Sequence, residues 1–234
     1  LQRTLQHDAT LQAFPYQLRM AEAQQLQANI KPNPELDVSL ENVLGTGDNQ
    51  GLKAAELTLS MSQQIELGQK RERRVELAQQ QSQLQRDNYE LARLDVLAAT
   101  TSLYLELLRL QHLQQWSSEK LSREQALLDT ARLRSNAGNL LDADISRIKL
   151  RLLRSQIELA DIQQSIQDRR YRLAARWNAE PDFSVVTGDL AILPQLPALP
   201  ALQQQLQQSA ALQRYLTEHR VAQSQLRLTE ANSQ

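Results

Sequence analysis

From Ile65 to Ala137 the chain contains no proline, and Gly68 is the single glycine in that stretch. Nothing else in the sequence restricts the fold as much. At ~1.5 Å per residue an unbroken helix over 66–137 spans ~108 Å, longer than any globular core. It must lie along other long helices, because packing of an apolar stripe is what stabilises a helix. A second helix reads from Leu140 to Trp177, ~57 Å by the same rise. Within it Ile145, Leu152, Leu159, Ile166 and Leu173 recur every seventh residue, with Leu141, Ile148 and Ile162 in companion positions. That spacing is a coiled-coil seam. Between the two lies Ser135-Asn136-Ala137-Gly138-Asn139-Leu140-Leu141-Asp142, where Gly138 and Asn139 accept the left-handed backbone of a tight turn. The pattern predicts a long helical hairpin over 66–177, turning at Gly138–Asn139. In its first arm the row Leu77, Leu84, Leu91, Ala98, Leu105, His112 reads as the matching seam. Trp116, Trp177, Tyr89 and Tyr171 read as packing residues.

Composition supports helices and narrows function. The 234 residues include 44 Leu and 34 Gln, and Arg far outnumbers Lys. Leu, Gln, Arg, Glu and Ala keep their rotamer freedom in helices. No Cys is present, which removes disulfide scaffolds, thiol catalysis and Cys-based zinc sites. His7, His112 and His219 are too far apart to suggest a local metal site. A formal net charge of −1 argues against nucleic-acid binding. No apolar run is long enough for a membrane-crossing helix. No Ser/His/Asp set, phosphate loop or carboxylate pair stands out, so the reading is of a non-enzyme without catalytic residues, cofactor or resident metal.

One segment changes period. In 35–41 apolar residues fall at Leu36, Val38 and Leu40. After the glycine-rich run Gly45 to Gly51 the alternation returns, with Leu57, Leu59 and Met61 on one face and Glu56, Thr58, Ser60 and Ser62 on the other. This predicts a β-hairpin. Strands of roughly 9–11 residues suit either a half-buried soluble hairpin or part of a membrane barrel.

The flanks read as shorter helices. Residues 1–30 carry Leu among Gln and Ala, with Pro15 a candidate kink, and Lys31-Pro32-Asn33-Pro34 ends them. Pro181, Pro194, Pro197 and Pro200 exclude a long helix over 178–200, where Phe183-Ser184-Val185-Val186 suits a short strand. Residues 201–233 return to Leu/Gln helix. A shift of 201 places Leu1-Gln2, Leu5-Gln6, Ala9, Leu11-Gln12, Arg19, Ala21 and Gln24 on Leu202-Gln203, Leu206-Gln207, Ala210, Leu212-Gln213, Arg220, Ala222 and Gln225, and Phe14 on Tyr215. This is an internal repeat whose second copy begins near 201.

This plan resembles the TolC family, the outer membrane factors of Gram-negative efflux pumps. The segment Ala131 to Asp144, with Asp144 six residues after Gly138, resembles the family's periplasmic tip. Tyr104-Leu105-Glu106-Leu107-Leu108 resembles a tyrosine-containing stretch of its long helix. Asn33-Pro34-Glu35-Leu36 and Glu56 to Arg71, with Ile65-Glu66-Leu67-Gly68, look most like the heavy-metal, CzcC-like subgroup. The resemblance implies a mainly α fold: a long antiparallel coiled-coil hairpin plus a β-hairpin contributing to a transmembrane β-barrel, trimeric when complete. It divides the chain into a periplasmic helix (1–32), an outer-membrane β-hairpin (33–65), a periplasmic helical hairpin (66–177) with its tip at 136–144, an equatorial linker (178–200) and the first helix of a second repeat (201–234). On this reading the chain holds one repeat and the start of the next, with two strands where the family's protomers have four.

The implied function is a passive exit duct in the outer membrane of a Gram-negative bacterium, with most of the chain in the periplasm. Its partners would be two further copies of itself, outer-membrane lipid, a periplasmic adaptor and an inner-membrane RND pump, and its cargo heavy-metal cations. The alternatives are a TolC-type duct for drugs or other small molecules and a soluble coiled-coil scaffold. Asp142 and Asp144 read either as helix N-terminal charges, favourable by ~0.3–1 kcal/mol, or, by the resemblance, as the pore constriction. Asn136, Ala137, Gly138, Asn139, Leu140 and Leu141 read either as a connector or as the adaptor contact. Lys70-Arg71-Glu72-Arg73-Arg74, which follows the second strand, reads either as a solvated charged face or as a membrane-proximal run.

Overall fold

The computed structural model describes residues 1–41, 55–192 and 195–233. The glycine-rich run expected to link the two strands, and Pro194, lie outside the described residues. The elements in chain order are α1 (Gln2–His7), α2 (Ala9–Asn29), β1 (Glu35–Glu41), β2 (Glu56–Ser62), α3 (Lys70–Asn136), α4 (Asp142–Ala175), α5 (Leu199–Gln207) and α6 (Ala210–Asn232). They divide into two compact units, 1–15 with 89–206, and 16–88 with 207–234.

The first unit is built on α4 folded back along α3. The pairing is antiparallel and in register: Glu106 meets Arg169 at 2.7 Å, Lys120 meets Glu158 at 2.8 Å and Glu124 meets Arg151 at 2.8 Å. Its core is Leu107, Leu110, Ile162, Ile166 and Leu173, with Tyr104, Trp177, Phe183 and Val186 packed around it. The α4 heptad behaves as its spacing predicts, with Leu152, Ile162, Ile166 and Leu173 buried. At the companion position between Ile148 and Ile162 stands Ser155, also buried.

In α3 the buried row is not the leucine-rich one. Leu77 is buried, but Ala98, Leu105 and His112 are exposed. The row that runs inward is Ser82, Tyr89, Val96, Leu103, Leu110, Ser117, Glu124 and Ala131. His112 is therefore not a seam residue. Tyr89 packs edge-on against Phe14, ring centroids 5.4 Å apart, and Trp177 lies 6.0 Å from Phe183. Trp116 and Tyr171 are exposed, Trp116 carrying the Lys120 ammonium over its ring.

The first helix is divided at a residue not singled out in the sequence, and one expected strand does not form. Pro15 sits inside α2 without ending it; the break falls at Asp8, whose carboxylate caps Thr10 N–H at 3.0 Å and pairs with Arg176 at 3.2 Å. Residues 183–186 form no strand, because their backbone is already engaged by helix side chains. Arg170 donates to Phe183 O, and Val186 N–H donates to Gln111 Oε1 at 3.2 Å.

The second unit holds the strand pair and three helical segments. β1 and β2 are antiparallel, with Leu36 opposite Met61, Val38 opposite Leu59 and Leu40 opposite Leu57. Each strand has seven residues, shorter than expected. After β2, Gly68 and Gln69 both take positive φ, 71° and 61°, to turn the chain into α3. Both α2 and α6 pack antiparallel on the start of α3: Arg74 Nε donates to Ala28 O at 3.0 Å, and Arg227 meets Glu76 at 2.7 Å.

Leu107 is fully buried at the centre of the hairpin core. Leu107→Ala should cost about 2–5 kcal/mol, read as a lowered melting temperature of the helical signal. An unchanged melting temperature would contradict this core.

Candidate functional site

Two regions are candidates for function: the tip of the helical hairpin and the strand pair with its base. The tip is built by helix capping. Gly138, at φ 76°, ends α3; its N–H donates to Ser135 O at 2.8 Å while Asn139 N–H donates to Arg134 O at 2.9 Å. These two bonds are a Schellman cap, in which the left-handed residue is glycine because it has no Cβ to strain. Space around Gly138 is open, so conformation alone selects glycine there. α4 then starts without a side-chain cap at Leu141.

Asn136, Ala137, Gly138, Asn139 and Leu141 are exposed and Leu140 is half-buried. Leu141 is 73% exposed, and Leu133 beside the turn is 72% exposed. Leu133 was not singled out from sequence; its signal was its place inside the tip motif.

Asp142 and Asp144 both lie in the first turn of α4. Two residues apart on a helix is about 200° of rotation, so they face opposite sides. Asp142 is exposed. Asp144 is half-buried and pairs with Arg147 at 3.3 Å. The structure thus does not bring the two carboxylates together. Among the described residues no group of three His, Cys, Asp or Glu could hold a metal ion.

Behind the tip a buried carboxylate locks the hairpin. Burial of Glu124 would by itself raise its pKa. Hydrogen bonding from Ser155 and Arg151, with the charges of Arg151 and Lys120, outweighs that and holds it below the ordinary value. A depressed carboxylate stabilises the fold above its unfolded pKa, ~4.3, and that stabilisation is lost as pH falls through the lower folded value. Acidification below about pH 4.3 should therefore lower the melting temperature of the wild-type chain more than that of Glu124→Gln. Parallel acid limbs would contradict this.

At the base of the strands Arg74 acts as a clamp. Its guanidinium bonds Glu66 at 2.6 and 3.1 Å and the carbonyls of Ala28 and Ile30. It joins the end of α2, the exit of β2 and the start of α3. The bond from Arg74, more than its charge, holds Glu66 below the usual carboxylate range. Sequence reasoning placed Arg74 in a solvated charged run, since a Glu eight residues back has no helical spacing to betray the pair.

The strands present one wholly apolar face, Leu36, Val38, Leu40, Leu57, Leu59 and Met61, all exposed. The other face is wholly polar: Glu35 opposite Ser62, Asp37 opposite Ser60, Ser39 opposite Thr58 and Glu41 opposite Glu56. No helix among the described residues is long and apolar enough to cross a membrane. A sheet apolar on one side and polar on the other needs apolar cover for one face and water for the other.

Residues 1–179 match the family described as outer membrane efflux protein, and the chain belongs to that family. It is 28% identical over 200 residues to the cobalt-zinc-cadmium resistance protein CzcC of Cupriavidus metallidurans, covering 85% of this chain and 46% of that protein. Its fold matches the outer membrane protein VceC of Vibrio cholerae, with a TM-score of 0.78 and 20% identity, over 98% of this chain and 57% of that one. It also matches CusC, with a TM-score of 0.81 and 14% identity, over 99% of this chain and 55% of that one. The chain spans about half the length of the relatives it matches.

Proposed function

We propose that this chain is part of the protomer of an outer-membrane exit duct: a passive channel, assembled as a homotrimer, that an inner-membrane RND pump reaches through a periplasmic adaptor. The observation that carries the reading is the strand pair. An exposed apolar face backed by a polar one, with unpaired outer edges, is stable in lipid only as part of a closed barrel. Seven residues at ~3.3 Å cover ~23 Å along the strand, or ~18 Å of depth at the ~40° tilt of such barrels, most of their ~25 Å apolar band. A soluble scaffold has no use for that face. Accordingly 33–65 is assigned to the outer membrane of a Gram-negative cell, and 1–32, 66–177 and the segments after 178 to the periplasm.

The tip takes the adaptor through Asn136 to Leu141, supported by its exposed leucines. Asp142 or Asp144 forms the constriction, and because they face opposite ways one of them lines the duct while the other lies outside. Similarity to a cobalt-zinc-cadmium resistance protein supports heavy-metal cations as cargo.

Single-channel recording of the full-length protein in planar bilayers tests the duct. The wild type should conduct with cation preference, and either Asp142→Ala or Asp144→Ala should reduce that preference. Absence of conductance would refute the duct. Unchanged selectivity in both variants would leave these carboxylates as helix-end charges. Loss of the protein should raise cellular cobalt, zinc or cadmium; drug sensitivity with unaltered metal content would assign the cargo to drugs instead.

A further inference from the structure

The basic run Lys70 to Arg74 plays no part in the duct as proposed. Two of its cations are satisfied inside the fold: Arg73 pairs with Glu76 at 3.0 Å and Arg74 with Glu66 at 2.6 Å. Among the described residues Lys70, Arg71 and the nearby Lys31 form no such pair. Lys70 and Arg71 are half-buried and Lys31 is exposed. Helix energetics do not account for the run, since cations in a first turn oppose the helix dipole.

Lys31, Lys70 and Arg71 line one hollow of about 560 Å³, between the segment that follows α2 and the start of α3. The carboxylates in it are Glu66 and Glu72. Glu66 is held by Arg74 and also feels the charges of Arg71 and Lys70, while Glu72 is exposed. With Arg74 counted, four cations meet two carboxylates, a local charge of +2 in a chain whose net charge is −1.

The same place exposes large apolar side chains, Ile30 at 53%, Ile65 at 79% and Leu67 at 75%. Ile65 and Leu67 continue, past the end of β2, the odd-numbered series that forms its apolar face, Leu57, Leu59 and Met61. Lys31 stands four residues before β1, at most ~13 Å of chain away. Arg74 braces the region by bonding Glu66 and the carbonyls of Ala28 and Ile30. Cations and aliphatic side chains are thus held on one collar at the foot of the strand pair.

Cations without carboxylate partners beside exposed aliphatic groups fit a lipid surface. Phosphate takes the charge, acyl chains take the apolar groups, and long basic side chains reach the headgroups along apolar stems. A free phosphate would leave Ile65 and Leu67 in water. We infer that this collar binds an anionic glycerophospholipid of the leaflet facing the periplasm, its phosphodiester between Lys31, Lys70 and Arg71 and its acyl chains against Ile65 and Leu67. The inference rests on the duct reading, which puts the foot of the strands at that leaflet. Strands covering ~18 Å of a ~25 Å apolar band leave depth for Ile65 and Leu67 to fill, and the headgroup layer begins directly beyond it.

The test offers the full-length protein in detergent equal amounts of phosphatidylglycerol and phosphatidylcholine, and counts retained lipid by native mass spectrometry. Phosphatidylglycerol should be retained in preference. Lys70→Gln and Arg71→Gln should each weaken that retention about fivefold, and Lys70→Arg should keep it. Arg154→Gln, which removes an exposed cation of α4, should leave it unchanged. Ile65→Asp should also lower retention, which a plain anion site would not show. Equal retention of the two lipids, or retention that neither Gln variant alters, overturns the inference. So does full displacement of the lipid by equimolar inorganic phosphate, the mark of a simple anion site. If the protein conducts in planar bilayers yet shows no lipid preference, the collar is wrong and the duct stands. If it neither conducts nor enters bilayers, both fall.

Discussion

A helix the length of α3 must find apolar cover along its whole extent, and that requirement organises the chain. A stripe that winds every seven residues can be covered only by other helices lying along it, which is why α4 folds back in register and why α2 and α6 share the first third of α3. Because cover comes from stripes rather than from a thick core, buried positions are small or polar as often as large: Ala78, Ser82, Thr100, Ser117 and Ala131 sit beside Leu107 and Leu128. Ser117 Oγ has no partner there, whereas two other buried polar residues do. Thr100 returns its hydroxyl to Val96 O at 2.8 Å, and Glu124 takes Arg151 from the facing helix.

The hairpin, its turn and the strand pair were legible in the sequence because each has a dominant local signal. α4 carries an almost unbroken aliphatic heptad, the turn has a glycine where a left-handed residue is needed, and the strands alternate without a fault. The inward row of α3 was not legible. It includes Ser82, Tyr89, Ser117 and Glu124, whereas the competing row with Leu77, Leu84, Leu91 and Leu105 looks better and ends at an exposed His112. Apolarity alone chose the wrong row, since small and hydrogen-bonded polar residues fit a tight helix–helix contact as well as leucine does. The linker failed differently. Val185 and Val186 have strand propensity, but Gln111 and Arg170 supply the hydrogen bonds a partner strand would have given.

For the candidate site, the sequence names residues and the structure adds their geometry. Asp142 and Asp144 are adjacent in the motif but opposed on the helix, and Asp144 already has Arg147 as partner. Arg74 and Leu133 emerged only in three dimensions, one as the clamp beneath the strands and the other as part of the apolar tip. Family membership and fold are settled by the match over residues 1–179. In the duct proposed for this chain, the tip and the strands are where its side chains would bear on conduction.

The central claim is that the strand pair faces lipid on one side and water on the other. Nitroxide labels placed singly along 35–41 and 56–62 of the full-length protein in liposomes measure this directly through relaxation by oxygen and by a water-soluble nickel chelate. The account predicts alternation with a period of two. Labels at Leu36, Val38, Leu40, Leu57, Leu59 and Met61 should be relaxed by oxygen, and those at Asp37, Ser39, Thr58 and Ser60 by the chelate. Uniform access of the chelate to both sets would place the hairpin in water and contradict the account.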